Sequence, residues 1–189
     1  LPAHIERPNI WMGGVNKKLV ELAGQIADGF VTHPTNSHPR YLRELCRPGL
    51  QAGADATGRV LSELELVVGT QWILGKTQSD LDERREHNRR LLAFLYSTPA
   101  YERTLELFRW SELAPQLRAL IREQRWGDLS TLVTDEVLDT LVPQATFAQL
   151  PEVAIEWFNG LSDGILVAAP PDDSHDQLLK SAIHELRNR

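Results

Sequence analysis

Between Asn9 and Leu74 short apolar runs alternate with amphipathic stripes, and that alternation restricts the chain to folds built on parallel strands. Asn9 to Gly13 is mostly apolar and bounded by Pro8 and a glycine pair, which predicts a strand buried on both faces. Leu19, Leu22, Ala23 and Ile26 then recur at helical spacing behind Asn16, a residue suited to capping a helix N-terminus. Ala27-Asp28-Gly29 turns the chain into a second apolar run, Phe30 to Thr32, which ends at His33-Pro34. From Pro39 to Ala56 the stripe is helical again, with Tyr41, Leu42, Leu45 and Cys46 on one side, and Gly53 to Gly58 forms its stop. Leu64 to Leu74 reads as a third strand, completing β-α-β-α-β.

From Thr77 to Asn159 the pattern is helical and no strand is expected. The block includes cap-like starts at Thr98-Pro99, Ser111-Glu112 and Thr134-Asp135-Glu136, with a last helix from Thr146 to Phe158. One crossover helix needs only about a dozen residues, so this block reads as a helical insertion inside a single unit spanning residues 1–189, of the kind that forms lids. A strand at Gly164 to Ala168 and a helix at Asp176 to Leu186 close the chain. Four strands make half of a (β/α)8 barrel, or else a four- or five-stranded open sheet. In both architectures ligands sit at the carboxyl ends of the strands, which directs attention to the residues just after Met12, Thr32, Ile73 and Ala168. The sequence opens at Leu1 without an initiator Met and enters a strand within ten residues, as expected of a piece of something longer.

Composition narrows the partners. A net charge of −6 without a basic stripe argues against nucleic acid, and no apolar run approaches the roughly 20 residues of a membrane helix. A single cysteine, Cys46, forms no internal disulfide, and no signal-peptide pattern stands near the start; a reducing cytoplasm is the expected location.

Gly13-Gly14-Val15-Asn16 sits where a strand feeds a helix. Its backbone N–H groups and the positive end of the helix dipole suit an anion such as a phosphate, with Lys17 and Lys18 beside it; the alternative is a tight turn that binds nothing. His33, with Thr32 and Thr35, ends the second strand and serves either as a substrate or acid-base group or as a polar residue of a Pro-rich turn. Asp28, His33 and His38 match no zinc spacing, and Asp28 stands at the other end of the strand, so no metal is expected. Ser97 lacks a nucleophile elbow and Cys46 falls in a helical stripe, which leaves no catalytic nucleophile and no assigned catalytic residue. The five tryptophans read mainly as packing residues, with Trp72 placed to face a ligand.

Ile10-Trp11-Met12-Gly13-Gly14, Leu22-Ala23-Gly24 and Ala27-Asp28-Gly29-Phe30 together resemble the central segment of the bacterial luciferase-like monooxygenases. Gly58-Arg59, the run from Ala93 to Tyr101 and the closing Asp163 to Val167 continue the likeness, nearest to the subgroup that uses the deazaflavin coenzyme F420. The resemblance implies an α/β fold of the (β/α)8 TIM-barrel type, of which this chain supplies the C-terminal half plus the helical insertion. It implies an oxidoreductase that carries out hydride transfer or oxygenation on a small organic substrate with F420, or alternatively FMN. Gly13, Gly14, Val15 and Asn16 would hold the cofactor's phosphate-bearing tail, and Thr32 and His33 would line the pocket near ring and substrate. The first barrel strands have no counterpart here, so a homodimer or an association with a separate N-terminal half is expected. The other function is a truncated, non-catalytic flavin-binding or interaction protein that dimerises through the half-barrel.

Overall fold

The computed structural model describes residues 7–170 and 173–189, so Leu1 lies outside the described residues. Four strands form one parallel sheet in the order β1-β2-β3-β6: β1 (Trp11–Gly13), β2 (Gly29–Val31), β3 (Glu65–Gly69) and β6 (Gly164–Leu166). Register pairs Met12 with Phe30, Phe30 with Leu66, and Val68 with Ile165. Because side chains alternate along a strand, these residues share one face. That face packs on α1 (Lys17–Ile26), α3 (Arg47–Thr57) and the π-helical turn Leu42–Cys46, which joins α3 to α2 (Pro39–Tyr41). Val20, Ala23, Leu42, Cys46 and Leu50 are buried against Phe30, Leu66 and Val68 there.

The opposite face carries Trp11, Val31, Val67 and Leu166. Trp11 lies across Gly29, where a Cβ would meet its ring at 2.5 Å. This face is open: Trp11 is 41% and Leu166 53% exposed. An α/β sheet with both faces covered would bury such residues. The parallel sheet has the four strands expected of a half-barrel, but β1, expected to be buried on both faces, is exposed on this one.

The third expected strand, Leu64 to Leu74, divides. β3 ends at Gly69, and β4 (Ile73–Gly75) belongs to a second, two-stranded parallel sheet with β5 (Gln144–Thr146). Between them Thr70 to Trp72 leave the ladder: Thr70 meets Ser37, Gln71 donates to Asn88, and the Trp72 indole N–H donates to the Leu166 carbonyl at 3.1 Å. Strand β5 also corrects the expectation that residues 77–159 hold no strand. With three residues, it is too short to show alternation, and its partner stands some seventy positions earlier. The last helix of the block, α8 (Leu150–Phe158), starts four residues later than expected, and Pro151 sits in its first turn, where its missing N–H costs nothing.

The rest of the excursion is helical: α4 (Gln78–Tyr96), α5 (Arg103–Leu107), α6 (Leu113–Arg122), a 3-10 stretch Trp126–Leu132 and α7 (Asp135–Leu141). It has its own buried cluster, including Leu92, Tyr96, Leu105, Leu117 and Leu138. A capping box at Thr77 and Asp80 starts α4, and Arg85 and Arg89 tie α4 to Asp135 and Asp139 of α7. After β6, α9 (Asp176–Arg187) packs Leu179 and Ala182 against Phe147 and Leu150. No helix among the described residues is long and apolar enough to cross a membrane.

Candidate functional site

Parallel strands deliver their carboxyl ends to one edge, where Gly13-Gly14, Thr32-His33 and Thr70 stand together. The turn Gly13 to Asn16 leads into α1, and Asn16 caps it with its side-chain oxygen, which accepts from the Leu19 N–H at 2.9 Å. The first N–H groups of a helix have no intrahelical partner, so Lys17 and Lys18 present theirs at this turn, while the Lys17 ammonium lies 3.5 Å from the Glu21 carboxylate one turn along α1. Gly14 is held tight against α1: a Cβ there would approach Leu19 Cβ to 2.9 Å. At Gly13, which is exposed, a Cβ would make an ordinary contact of 3.4 Å with the Val31 carbonyl oxygen.

Thr32 is 4% exposed and extends the β2–β3 ladder past its last register pair: its N–H donates to the Val67 carbonyl at 3.0 Å, and its hydroxyl accepts from the Gly69 N–H at 3.1 Å. His33 is half-buried and caps the short 3-10 turn Pro34–Asn36. Its Nδ1 accepts from the Thr35 N–H at 3.3 Å and lies 2.8 Å from the Thr35 hydroxyl. With Nδ1 used as an acceptor, the ring proton is assigned to Nε2. Burial lowers the His33 pKa and so favours the neutral ring. The ring stacks on Tyr101 of the excursion at 4.4 Å between centroids.

Besides Thr32, His33 and Thr35, three residues to which the sequence gives no role, Asn36, Tyr96 and Thr104, complete this edge. The Thr35 carbonyl accepts two hydroxyl donors from the excursion, Tyr96 at 3.0 Å and Thr104 at 2.6 Å, all three residues being fully buried. Asn36 donates from Nδ2 to the Val15 carbonyl at 3.0 Å, joining the β2 loop to the glycine turn. Their signal in the sequence is faint, because each acts through a backbone carbonyl on a segment far along the chain.

Other candidates are placed elsewhere. Asp28, at the amino end of β2, is bound by Arg7 at 2.6 and 2.7 Å and by the Ile10 N–H at 2.7 Å, and the guanidinium holds its carboxyl at about 2. Cys46 is fully buried, and burial pushes its thiol up to about 12, so it packs rather than reacts. Trp72 spends its N–H on Leu166 and meets Phe158 edge to face. Among the described residues no cluster of three or more His, Cys, Asp or Glu is arranged to hold a metal ion.

A cavity of about 900 Å³ opens at the opposite end of the sheet, around Arg47, Arg59, Glu65 and Asp163. Three of these four side chains are engaged by the backbone: Arg47 donates to the Leu161 carbonyl, Arg59 to the Gly24 carbonyl, and Asp163 accepts from the Leu66 N–H. The amino end of a parallel barrel serves stability and the carboxyl end chemistry, so the glycine turn and His33 define the candidate site despite the cavity at the opposite end.

Comparisons with known proteins identify the family and the fold. The model of a family described as luciferase-like monooxygenase matches residues 1–157. Uncharacterized proteins of Mycobacterium tuberculosis and Mycobacterium bovis are 33% identical over 131 residues, covering 69% of this chain and 38% of theirs. The chain therefore spans well under half the length of those relatives. Among solved structures, a coenzyme F420-dependent tetrahydromethanopterin reductase from Methanopyrus kandleri superposes with a TM-score of 0.70 at 20% identity, over 92% of this chain and 49% of the reductase. An F420-dependent secondary alcohol dehydrogenase in complex with an F420-acetone adduct gives 0.64 at 16% identity, over 96% of this chain and 50% of the enzyme. An EDTA monooxygenase from Chelativorans sp. gives 0.57 at 17% identity, over the whole chain and 46% of the monooxygenase. These likenesses show the fold: parallel α/β, similar to TIM-barrel-type enzymes of this family and about half of each chain's length.

Proposed function

The chain belongs to the luciferase-like monooxygenase family, and from that premise we propose that it forms the cofactor-tail half of an oxidoreductase acting on a small organic substrate with coenzyme F420, FMN being the alternative. The observation that carries this reading is the glycine turn at the carboxyl edge of the sheet, solvent-exposed at Gly13 and backed by the N-terminus of α1. Gly13, Gly14, Val15 and Asn16 hold the phosphate of the tail through backbone N–H groups, with Lys17 and Lys18 adding charge. His33 directs Nε2–H toward ring or substrate as a neutral donor, and Thr32 fixes the strand ends beneath it. When bound, the reduced deazaflavin or flavin supplies the hydride; the protein supplies position, a dry surface and hydrogen bonds. The names of two structural neighbours, both F420-dependent, favour the deazaflavin.

Among the described residues the inner face is uncovered and β1 and β6 pair on one edge only, which calls for a second half-barrel, either another copy of this chain or the remaining length of a family barrel. With only that face covered and no ring bound, the chain would act as a binding protein, which is the competing reading. The test is a titration with oxidised F420, then FMN, then riboflavin, followed by tryptophan fluorescence. Saturable quenching by a phosphate-bearing cofactor, with riboflavin at least about tenfold weaker, is expected. Equal binding of riboflavin and FMN, or quenching by none of the three, contradicts the assignment.

A further inference from the structure

The β2 loop is the one place where every part of the candidate site meets. The Asn36 N–H closes the 3-10 turn on the His33 carbonyl at 2.8 Å. Ser37 Oγ lies 2.9 Å from both the Pro34 carbonyl and Thr70 Oγ1, which ties the turn to the end of β3. From above, Tyr96 and Thr104 of the excursion donate to the Thr35 carbonyl. From the side, the Asn36 amide reaches the Val15 carbonyl, and Asn36 is 1% exposed. The excursion, the loop and the glycine turn are thus joined by an unbroken series of buried polar contacts.

The last link sets a direction. A trans peptide is planar, with its C=O and N–H pointing opposite ways. Holding the Val15 carbonyl toward Asn36 therefore turns the Asn16 N–H away from Asn36. We propose that Asn36 is a positioning residue for the anion turn, and that the Thr35 clamp from Tyr96 and Thr104 makes phosphate affinity at Gly13 to Asn16 depend on docking of the helical excursion. The ligand class is a phosphate mono- or diester. The inference rests on the reading of that turn as an anion site and adds what regulates it. Without the clamp, the Pro34–Asn36 turn loses two donors on one carbonyl, Asn36 loses its fixed reach, and the Val15–Asn16 peptide is free to rotate.

The test uses inorganic phosphate and the backbone amide signals of the ¹⁵N-labelled protein. In the unmodified protein, phosphate should move the signals of Gly14, Asn16, Lys17 and Lys18 saturably. Asn36→Ala should weaken that response about tenfold, and Thr104→Val, remote from the turn and isosteric, about threefold, whereas Thr104→Ser keeps the hydroxyl and the affinity. If Asn36→Ala does not fold, Thr104→Val with its serine rescue carries the test alone. A phosphate response that both variants leave untouched overturns the role of Asn36 and the clamp while sparing the anion turn. No phosphate response in the unmodified protein overturns the anion reading and this inference with it.

Discussion

Replacing Gly53 with alanine should unfold the protein's central helix pair, lowering stability by about 3 kcal/mol or more and the melting temperature by roughly 6–12 °C. Helices α1 and α3 touch backbone to backbone: a Cβ on Gly53 would sit 1.9 Å from the Glu21 carbonyl oxygen, and one on Gly24 2.1 Å from that of Leu50. No rotamer relieves a clash with a carbonyl, so the helices must separate. Separation strips Val20, Ala23 and Leu50 from the sheet. Because α1 begins at the glycine turn, the displacement also moves the candidate anion site. Gly127→Ala, where nothing lies within 4 Å, is the control and should change stability by no more than about 0.5 kcal/mol. Urea unfolding of the two variants side by side measures the contrast; equal stabilities would mean that the helix crossing is looser than the structure has it.

The second large effect is a loss of stability in acid that traces to one histidine. His38 caps α2, its Nδ1 accepting from the Arg40 N–H at 3.0 Å, and its ring packs edge-on against Phe108 and Trp157. Burial, reinforced by Arg43 and Arg40, lowers its pKa to about 4. The unfolded chain takes up a proton near pH 6.5, and the folded one resists it down to about 4. Stability is therefore full above pH 6.5, falls as pH drops through that window, and flattens below it. Allowing for partial solvent access, the loss is about 2 kcal/mol. His33, lowered by burial too, adds in the same direction. The carboxylates held low by arginines, Asp28 and Asp135, titrate beneath the window and leave it clear. His38→Asn keeps a capping oxygen and removes the titration, so its urea midpoint should fall less than half as far between pH 7.5 and 4.5. An unchanged pH dependence in that variant would assign the acid loss to other groups.

Much of the sheet was legible because local pattern and global fold agree there. The apolar run after Pro8, the Asn16 cap and the stripe at Leu19, Ala23 and Ile26 announce β1 and α1 with little competition. Residues 64–74 misled for a physical reason: an apolar run records burial, not which sheet buries it, and the side chains that divert Thr70, Gln71 and Trp72 find their partners at Ser37, Asn88 and Leu166. β5 was hidden because three residues between Pro143 and Phe147 show no period. At the candidate site the glycine turn and His33 were legible from their place at strand ends. Asn36, Tyr96 and Thr104 were not, since a side chain that serves a distant carbonyl has no spacing rule to reveal it.

The central claim is that the carboxyl edge of the sheet, from the glycine turn to the His33 loop, receives the cofactor. Mapping the backbone amide shifts of the ¹⁵N-labelled protein on addition of oxidised F420 tests it most directly. The largest shifts should fall on Gly13 to Lys18 and on His33 to Ser37. Shifts confined to the cavity around Arg47, Arg59 and Glu65 at the opposite end of the sheet would contradict it.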